Sequence, residues 1–273
     1  MGADTGRKYD LIATDVDGTL CNSKHQLTSR TETAIRRAAA LGVPTVVATG
    51  KAKGPWSKTI LPRIGSPSPG VFSQGLLVYG ADGSLLYSEC MDIDVAEDCI
   101  RFAEEHGLSL AAYTNDRIIC AEQDEHTDRL IPYGEPVPEP VGPLRDVLQE
   151  VPIQKFIYIC SQERLDKVRP AAEQLLGSRC HLTVALTGML EVLPAGASKG
   201  RGLERLLKHL GIPAERVMAV GDGENDLEML QMVGLGVAMG NAGEKVKSAA
   251  NAVTATNDED GLAQAIERYI LSG

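Results

Sequence analysis

No apolar run in the 273 residues approaches the eighteen or so that a membrane-spanning helix needs, and this argues against a membrane span. The N-terminal residues 1–8 lack the apolar stretch of a secretion signal, so the expected setting is soluble and intracellular, in the cytoplasm or in an organelle if a transit peptide has been removed. The six cysteines are scattered without a C-x-x-C pair or a histidine spacing suited to zinc, and they are expected to be reduced, partly buried small hydrophobes. A basic excess is also missing. The formal net charge is -10, with 9 basic against 19 acidic residues between positions 84 and 187 and 18 of each elsewhere. Such a surface repels a phosphate backbone, which argues against nucleic acid as a partner. Internal repeats and low-complexity tracts are absent as well.

What is present has the grammar of a parallel sheet. Leu11-Ile12-Ala13 is a short apolar strand that runs into Asp15-Val16-Asp17-Gly18-Thr19. Ser29-Arg30-Thr31-Glu32 reads as a capping box opening a helix with Ile35, Ala38 and Leu41 on its inner side and Gly42 as its stop. Residues 43–48 form a second strand ending at Thr49-Gly50-Lys51, which completes a βαβ unit. The pattern returns late in the chain. Ser198 caps a helix striped by Leu203, Leu206, Leu207 and Leu210, and Val217 to Val220 forms a strand that leads into Gly221-Asp222-Gly223. Further elements follow at Leu227, at Gly234 to Met239 and at Gly261 to Ile270. The two ends read as one doubly wound α/β sheet. Residues 84–187 between them mix alternating strand-like pieces with helical ones around a Pro-rich loop, Pro132 to Pro143, and are expected to be an α+β insertion.

Three polar loops, each after a predicted strand, would converge on the carboxyl edge of that sheet, where such folds bind ligands. Asp15 and Asp17 supply two carboxylates, Thr49 and Gly50 a hydroxyl and an amide, and residues 221–226 three more acids and Asn225. Lys199 opens the leucine-striped helix. Carboxylates gathered in one place repel unless a cation lies among them, and oxygen ligands suit a hard divalent ion such as Mg²⁺, with Asp15 and Asp222 as the natural direct ligands. Lys199, Thr49 and Gly50 could hold a phosphoryl group, a carboxylate facing phosphorus can attack it, and Asp17 could serve as acid and base. Taken singly each motif has an ordinary reading: Asp-x-Asp-Gly suits a turn or calcium loop, and Lys199 a surface charge. Their order and placement together favour catalysis.

Asp15-Val16-Asp17-Gly18-Thr19-Leu20, Thr49-Gly50, Lys199-Gly200 and Gly221-Asp222-Gly223-Glu224-Asn225-Asp226 resemble the four ordered motifs of the haloacid dehalogenase (HAD) superfamily. The spacing between the second and third is similar to the Cof-type IIB phosphatase branch. The resemblance implies a Rossmann-like HAD core, residues 1–83 and 188–273, and an inserted α+β cap domain, 84–187, closing over a small phosphorylated metabolite. It implies Mg²⁺-dependent hydrolysis of a phosphate monoester, a phosphosugar or a cofactor or nucleotide-precursor phosphate, through an aspartyl-phosphate.

The same resemblance makes Asp15 the nucleophile and Asp17 the acid/base. It assigns the metal to Asp15, the Asp17 carbonyl and Asp222, with Asp226 acting beside them or through water and orienting Lys199. It assigns phosphate to Thr49, Gly50, Lys199 and Asn225. Lys51 replaces the usual Arg, and Ser73-Gln74-Gly75 stands where many relatives have Asn-Gly, so Lys51 and Gln74 are candidate substrate or cap contacts. A sugar phosphomutase of the same superfamily and a catalytically idle HAD-fold binding protein are the alternatives. Oligomeric state is not legible.

Overall fold

The structure, a computed structural model, describes residues 7–65 and 69–272. The first six residues read above for targeting signals lie outside that range. In chain order the first elements are strand β1 (Leu11–Thr14), helix α1 (Ser29–Ala40), β2 (Thr45–Ala48), α2 (Pro55–Ile60), β3 (Gly70–Phe72), β4 (Leu77–Tyr79) and β5 (Leu85–Ser88). Then come α3 (Ile93–His106), β6 (Ser109–Thr114), β7 (Arg117–Cys120), β8 (Glu139–Pro140), α4 (Leu144–Val147), β9 (Lys155–Ile159) and α5 (Gln162–Leu176). The chain closes with β10 (Cys180–Leu186), β11 (Met189–Pro194), α6 (Lys199–Leu210), β12 (Val217–Gly221), α7 (Leu227–Met232), β13 (Leu235–Ala238), α8 (Glu244–Ala249), β14 (Ala252–Val253) and α9 (Gly261–Tyr269).

The chain divides into two compact units, one of residues 1–49, 58–87 and 198–273, the other of 50–57 and 88–197. The first is α/β. Its sheet has the order β14-β13-β12-β1-β2-β3-β4-β5, parallel from β14 to β3, with β4 antiparallel to β3. The chain leaves β1 toward β2 on one side and later returns to β12 on the other, which makes β1 and β12 the switch point of the sheet. These strands are short and fully buried, as a parallel sheet requires. Leu203, Leu206 and Leu207 of α6 pack with Leu11, Ala13, Val46, Val71, Val217 and Ala219, so the leucine stripe covers one face.

Two local readings shift. Thr28, not Ser29, caps α1, its hydroxyl accepting from the Thr31 N–H. Leu41, expected on the inner side, caps the other end of α1 and is 51% exposed.

In the second unit the sheet order is β10-β11-β9-β6-β7-β8, mostly antiparallel, with β8 parallel to β7. One face carries α3 and α5, whose Val95, Cys99, Phe102, Leu165 and Leu176 pack against Phe156, Tyr158 and Val192. The other buries Ala111, Tyr113, Ile157 and Met189 together with Ala52. Boundaries drawn at 84 and 187 from sequence texture therefore move. Strand β5 extends the first sheet, β11 pairs with β9 and β10 in the second, and residues 50–57 join the second unit. The Pro-rich loop, expected to be irregular, contributes the short β8.

The reason residues 50–57 join the second unit is a set of hydrogen bonds that no local pattern announces. Trp56 N–H donates to the Gly134 carbonyl at 3.2 Å and its indole N–H to Ala52 at 2.8 Å, while the Ala52 N–H donates to the Glu135 carboxylate at 3.1 Å. The buried Lys155 ammonium bridges the Gly50 carbonyl at 2.9 Å and the Glu191 carboxylate at 2.8 Å.

Candidate active site

Register alone brings the first and last motifs together. Thr14 pairs with Val220, so Asp15 and Asp222 emerge side by side just past the carboxyl ends of β1 and β12, and the Asp15 N–H donates to Val220 at 3.0 Å. Thr49 follows β2 on the neighbouring track. Ser198 caps α6 by accepting from the Arg201 N–H at 3.1 Å, and this places Lys199 on the first turn of the helix.

Lys199 is 1% exposed, and its ammonium lies 2.8 Å from Asp15 and 2.7 Å from Asp226. Asp226 is fully buried. One of its oxygens takes the Lys199 bond and the other accepts the N–H groups of Asp222 and Gly223, both at 2.9 Å. It thus holds the lysine and folds the 221–226 loop, and the sequence expectation that it also serves as a metal ligand meets a carboxylate whose oxygens already carry three donors. Asp222 accepts from the Thr19 hydroxyl at 2.7 Å and from Asn241 at 3.2 Å, and Asn241 also donates to the Gly18 carbonyl at 3.0 Å.

The charges of this cluster do not balance. Carboxylate oxygens of Asp15, Asp222 and Asp226 lie within 4.8 Å of one another around one ammonium. Burial pushes the Asp15 carboxyl well above the usual carboxylate range, against the opposing pull of Lys199. Burial likewise pushes Asp222 up to about 6, opposed by its bond from Thr19. For Lys199 burial works downward, but the Asp15 and Asp226 carboxylates outweigh it and hold the ammonium above its ordinary value. Buried oxygens with surplus negative charge make a donor set that fits a hard divalent cation.

Asp17 is the more open carboxylate beside this cluster, near enough for its charge to help raise Asp222. Its side chain is 35% exposed, with His25 Nδ1 at 3.2 Å from its carboxylate. Thr49 is 1% exposed, its N–H donating to Val71 at 2.9 Å and its carbonyl accepting from Gln74 at 3.1 Å. Asn225 donates its side-chain amide to Gln74 at 3.2 Å.

One candidate, Gln74, is placed differently from expectation, and the other, Lys51, meets a residue of the 84–187 stretch read as the cap. Gln74, offered as a substrate or cap contact, is 2% exposed and faces Asn225. Lys51 is buried in the second unit, where its ammonium donates to the Tyr133 carbonyl and lies 5.5 Å above the Trp56 ring. Gly50 falls in that unit also.

Thr19, Asn241 and His25 were missed. Thr19 lay inside a quoted motif, and Asn241 follows the carboxyl end of β13, the kind of position already used for the other loops. His25 carried no local signal.

Known proteins are similar to this chain in sequence and fold. A chloroplastic protein of Arabidopsis thaliana, named as the endoribonuclease YBEY, is 40% identical over 96% of this chain, and the chain spans 47% of that relative's length. The phosphatase YwpJ of Bacillus subtilis is 32% identical over 95% of this chain and 99% of its own. A solved haloacid dehalogenase-like hydrolase of Bacteroides thetaiotaomicron superposes with a TM-score of 0.86 at 30% identity, covering 96% of this chain and 99% of that one. No described helix is long and apolar enough to cross a membrane. The model of the haloacid dehalogenase-like hydrolases matches residues 12–266, a span that takes in every loop of the acidic cluster, and the chain belongs to that family.

Proposed function

We propose that the chain hydrolyses the phosphate monoester of a small metabolite through an aspartyl-phosphate on Asp15. The observation that carries the reading is the buried Lys199 ammonium between Asp15 and Asp226, with Asp222 beside them. The names of several relatives agree with it, whereas the chloroplastic relative, of which this chain spans 47%, carries an endoribonuclease name. YwpJ is a phosphatase, and two others act, by name, on 5-amino-6-(5-phospho-D-ribitylamino)uracil and HMP-PP.

Asp15 and Asp222, with the Asp17 carbonyl, would hold Mg²⁺, which when bound offsets charge on the phosphoryl oxygens. In the first half-reaction an Asp15 oxygen forms a bond to phosphorus as the ester oxygen leaves, and Asp17 gives that oxygen its proton. In the second half-reaction Asp17 takes a proton from water, whose oxygen bonds phosphorus as the Asp15 bond breaks, releasing phosphate. The partial exposure of Asp17 suits a group that must meet both leaving oxygen and water. Lys199, fixed by Asp226, supplies positive charge without reorganising. Thr49 and Asn225 are assigned to phosphate.

Release of phosphate from p-nitrophenyl phosphate with Mg²⁺ tests the chemistry. An Asp15→Asn variant is expected to lose at least about 10³-fold in kcat. Wild-type turnover in that variant would remove the mechanism.

A further inference from the structure

The link between β3 and β4 is a buried knuckle in an uncommon conformation. Ser73, Gln74 and Gly75 are successive residues with φ of 49°, 59° and 92°, and the first two carry side chains that disfavour that region. The Ser73 hydroxyl, fully buried, finds no hydrogen-bond partner among the described residues. Such strain persists where surrounding structure imposes it, and it gathers at working sites.

Three of the site's loops meet this knuckle. The Gln74 N–H donates to the Thr49 carbonyl at 3.1 Å. The Gln74 side-chain oxygen accepts from Asn225 Nδ2 at 3.2 Å. Gly75 lies so close to α6 that a Cβ there would stand 2.0 Å from the Ser198 carbonyl, next to Lys199. The left-handed backbone therefore lets one tight turn touch the loops of Thr49, Lys199 and Asn225 together.

We infer that Gln74 is a positioning residue for the phosphate-binding groups, its side-chain oxygen fixing the amide plane of Asn225 while its backbone anchors Thr49. One Nδ2 proton of Asn225 goes to Gln74, which sets the direction of the other proton and of the Asn225 oxygen. Held this way, Asn225 presents one orientation to a phosphoryl group and loses no entropy when substrate arrives. The inference rests on the phosphatase reading above, and it replaces the idea of Gln74 as a substrate contact.

Gln74→Gly removes the side chain at a φ that glycine adopts freely, so the turn is retained. Four proteins, wild type, Gln74→Gly, Asn225→Ala and the double variant, would be compared for p-nitrophenyl phosphate turnover and, by calorimetry with Mg²⁺, for orthovanadate affinity. Gln74→Gly is expected to lower kcat about 10- to 100-fold with KM changed less than about 3-fold, and to cost less than about 2-fold once Asn225 is already alanine. An equal loss in both backgrounds, or a Gln74→Gly variant within about 2-fold of wild type, overturns the positioning role. A wild-type chain that binds orthovanadate without turnover overturns the phosphatase reading alone, and the same cycle in affinities then decides the role of Gln74. A chain that does neither overturns both.

Discussion

Replacing Lys199 with methionine keeps most of the side-chain volume and deletes the one ammonium at the centre of the acidic cluster. At 2.8 and 2.7 Å each of its two pairings carries a gross Coulomb energy of about 6 kcal/mol for an effective dielectric of about 20. Desolvation of the three groups cancels much of that. The net penalty follows from what the variant leaves behind, two buried carboxylates without their cation. Removing one member of a buried pair costs about 3–5 kcal/mol.

The variant has one escape, which is to protonate a carboxyl. Doing so at pH 7 costs about 4 kcal/mol, three pH units at about 1.4 kcal/mol each, and this caps the loss near the same figure. A carboxyl whose folded pKa is raised stabilises the fold at low pH and loses that contribution as pH rises. Because burial already raises Asp15 in the wild type, the Lys199→Met penalty should shrink as pH falls from 7 to 5 by at most about 1.4 kcal/mol per unit. Urea denaturation followed by circular dichroism, in chelator and then with Mg²⁺, measures it, and the added ion should restore more stability to the variant than to wild type. A variant within about 1 kcal/mol of wild type in chelator at pH 7, or a penalty flat with pH, would refute the account of Lys199 as the balancing charge.

Gly18→Ala sets a Cβ 2.3 Å from the Asp222 carboxylate at a φ of 78°, so phosphatase activity should fall at least about 100-fold, and full activity would show that Asp222 need not keep its place. Asp10 and Arg216 tie the entries of β1 and β12. Arg216's hydrogen bonds hold the Asp10 carboxyl below its ordinary value, so this contribution is present above about pH 4 and is lost as pH falls through the lowered value. Because the pair is partly exposed, Asp10→Asn should cost only about 1 kcal/mol at pH 7 and progressively less as pH falls below the ordinary carboxylate range, as read from urea midpoints; a deficit that does not shrink with falling pH would assign the loss to packing.

Much of this molecule follows from local pattern. Apolar runs such as Val217 to Val220 and the Ser198-capped leucine stripe of α6 suffice to place strands and helix, because burial of a period-matched face is a property of each segment by itself. The alternation of those segments implies a parallel sheet, and a parallel sheet implies that loops far apart in sequence end on one edge. Asp15, Asp222 and Lys199 are therefore legible from local pattern alone.

Other features belong to partners distant in sequence. The assignment of residues 50–57 to the second unit depends on Glu135, Gly134 and Lys155, none of them near in sequence. The burial of Lys51 depends on where Tyr133 falls, and that of Gln74 on a left-handed turn wedged between Thr49, Ser198 and Asn225. Nor can a motif reveal that the Asp226 carboxylate accepts from Lys199 and from the Asp222 and Gly223 N–H groups. Sequence by itself determined the elements and the edge where the chemistry gathers, since periodicity and strand ends are local. Only the tertiary structure decided which polar groups face ligand and which hold other residues in place, because a hydrogen bond's second partner is chosen by the packing of the whole chain.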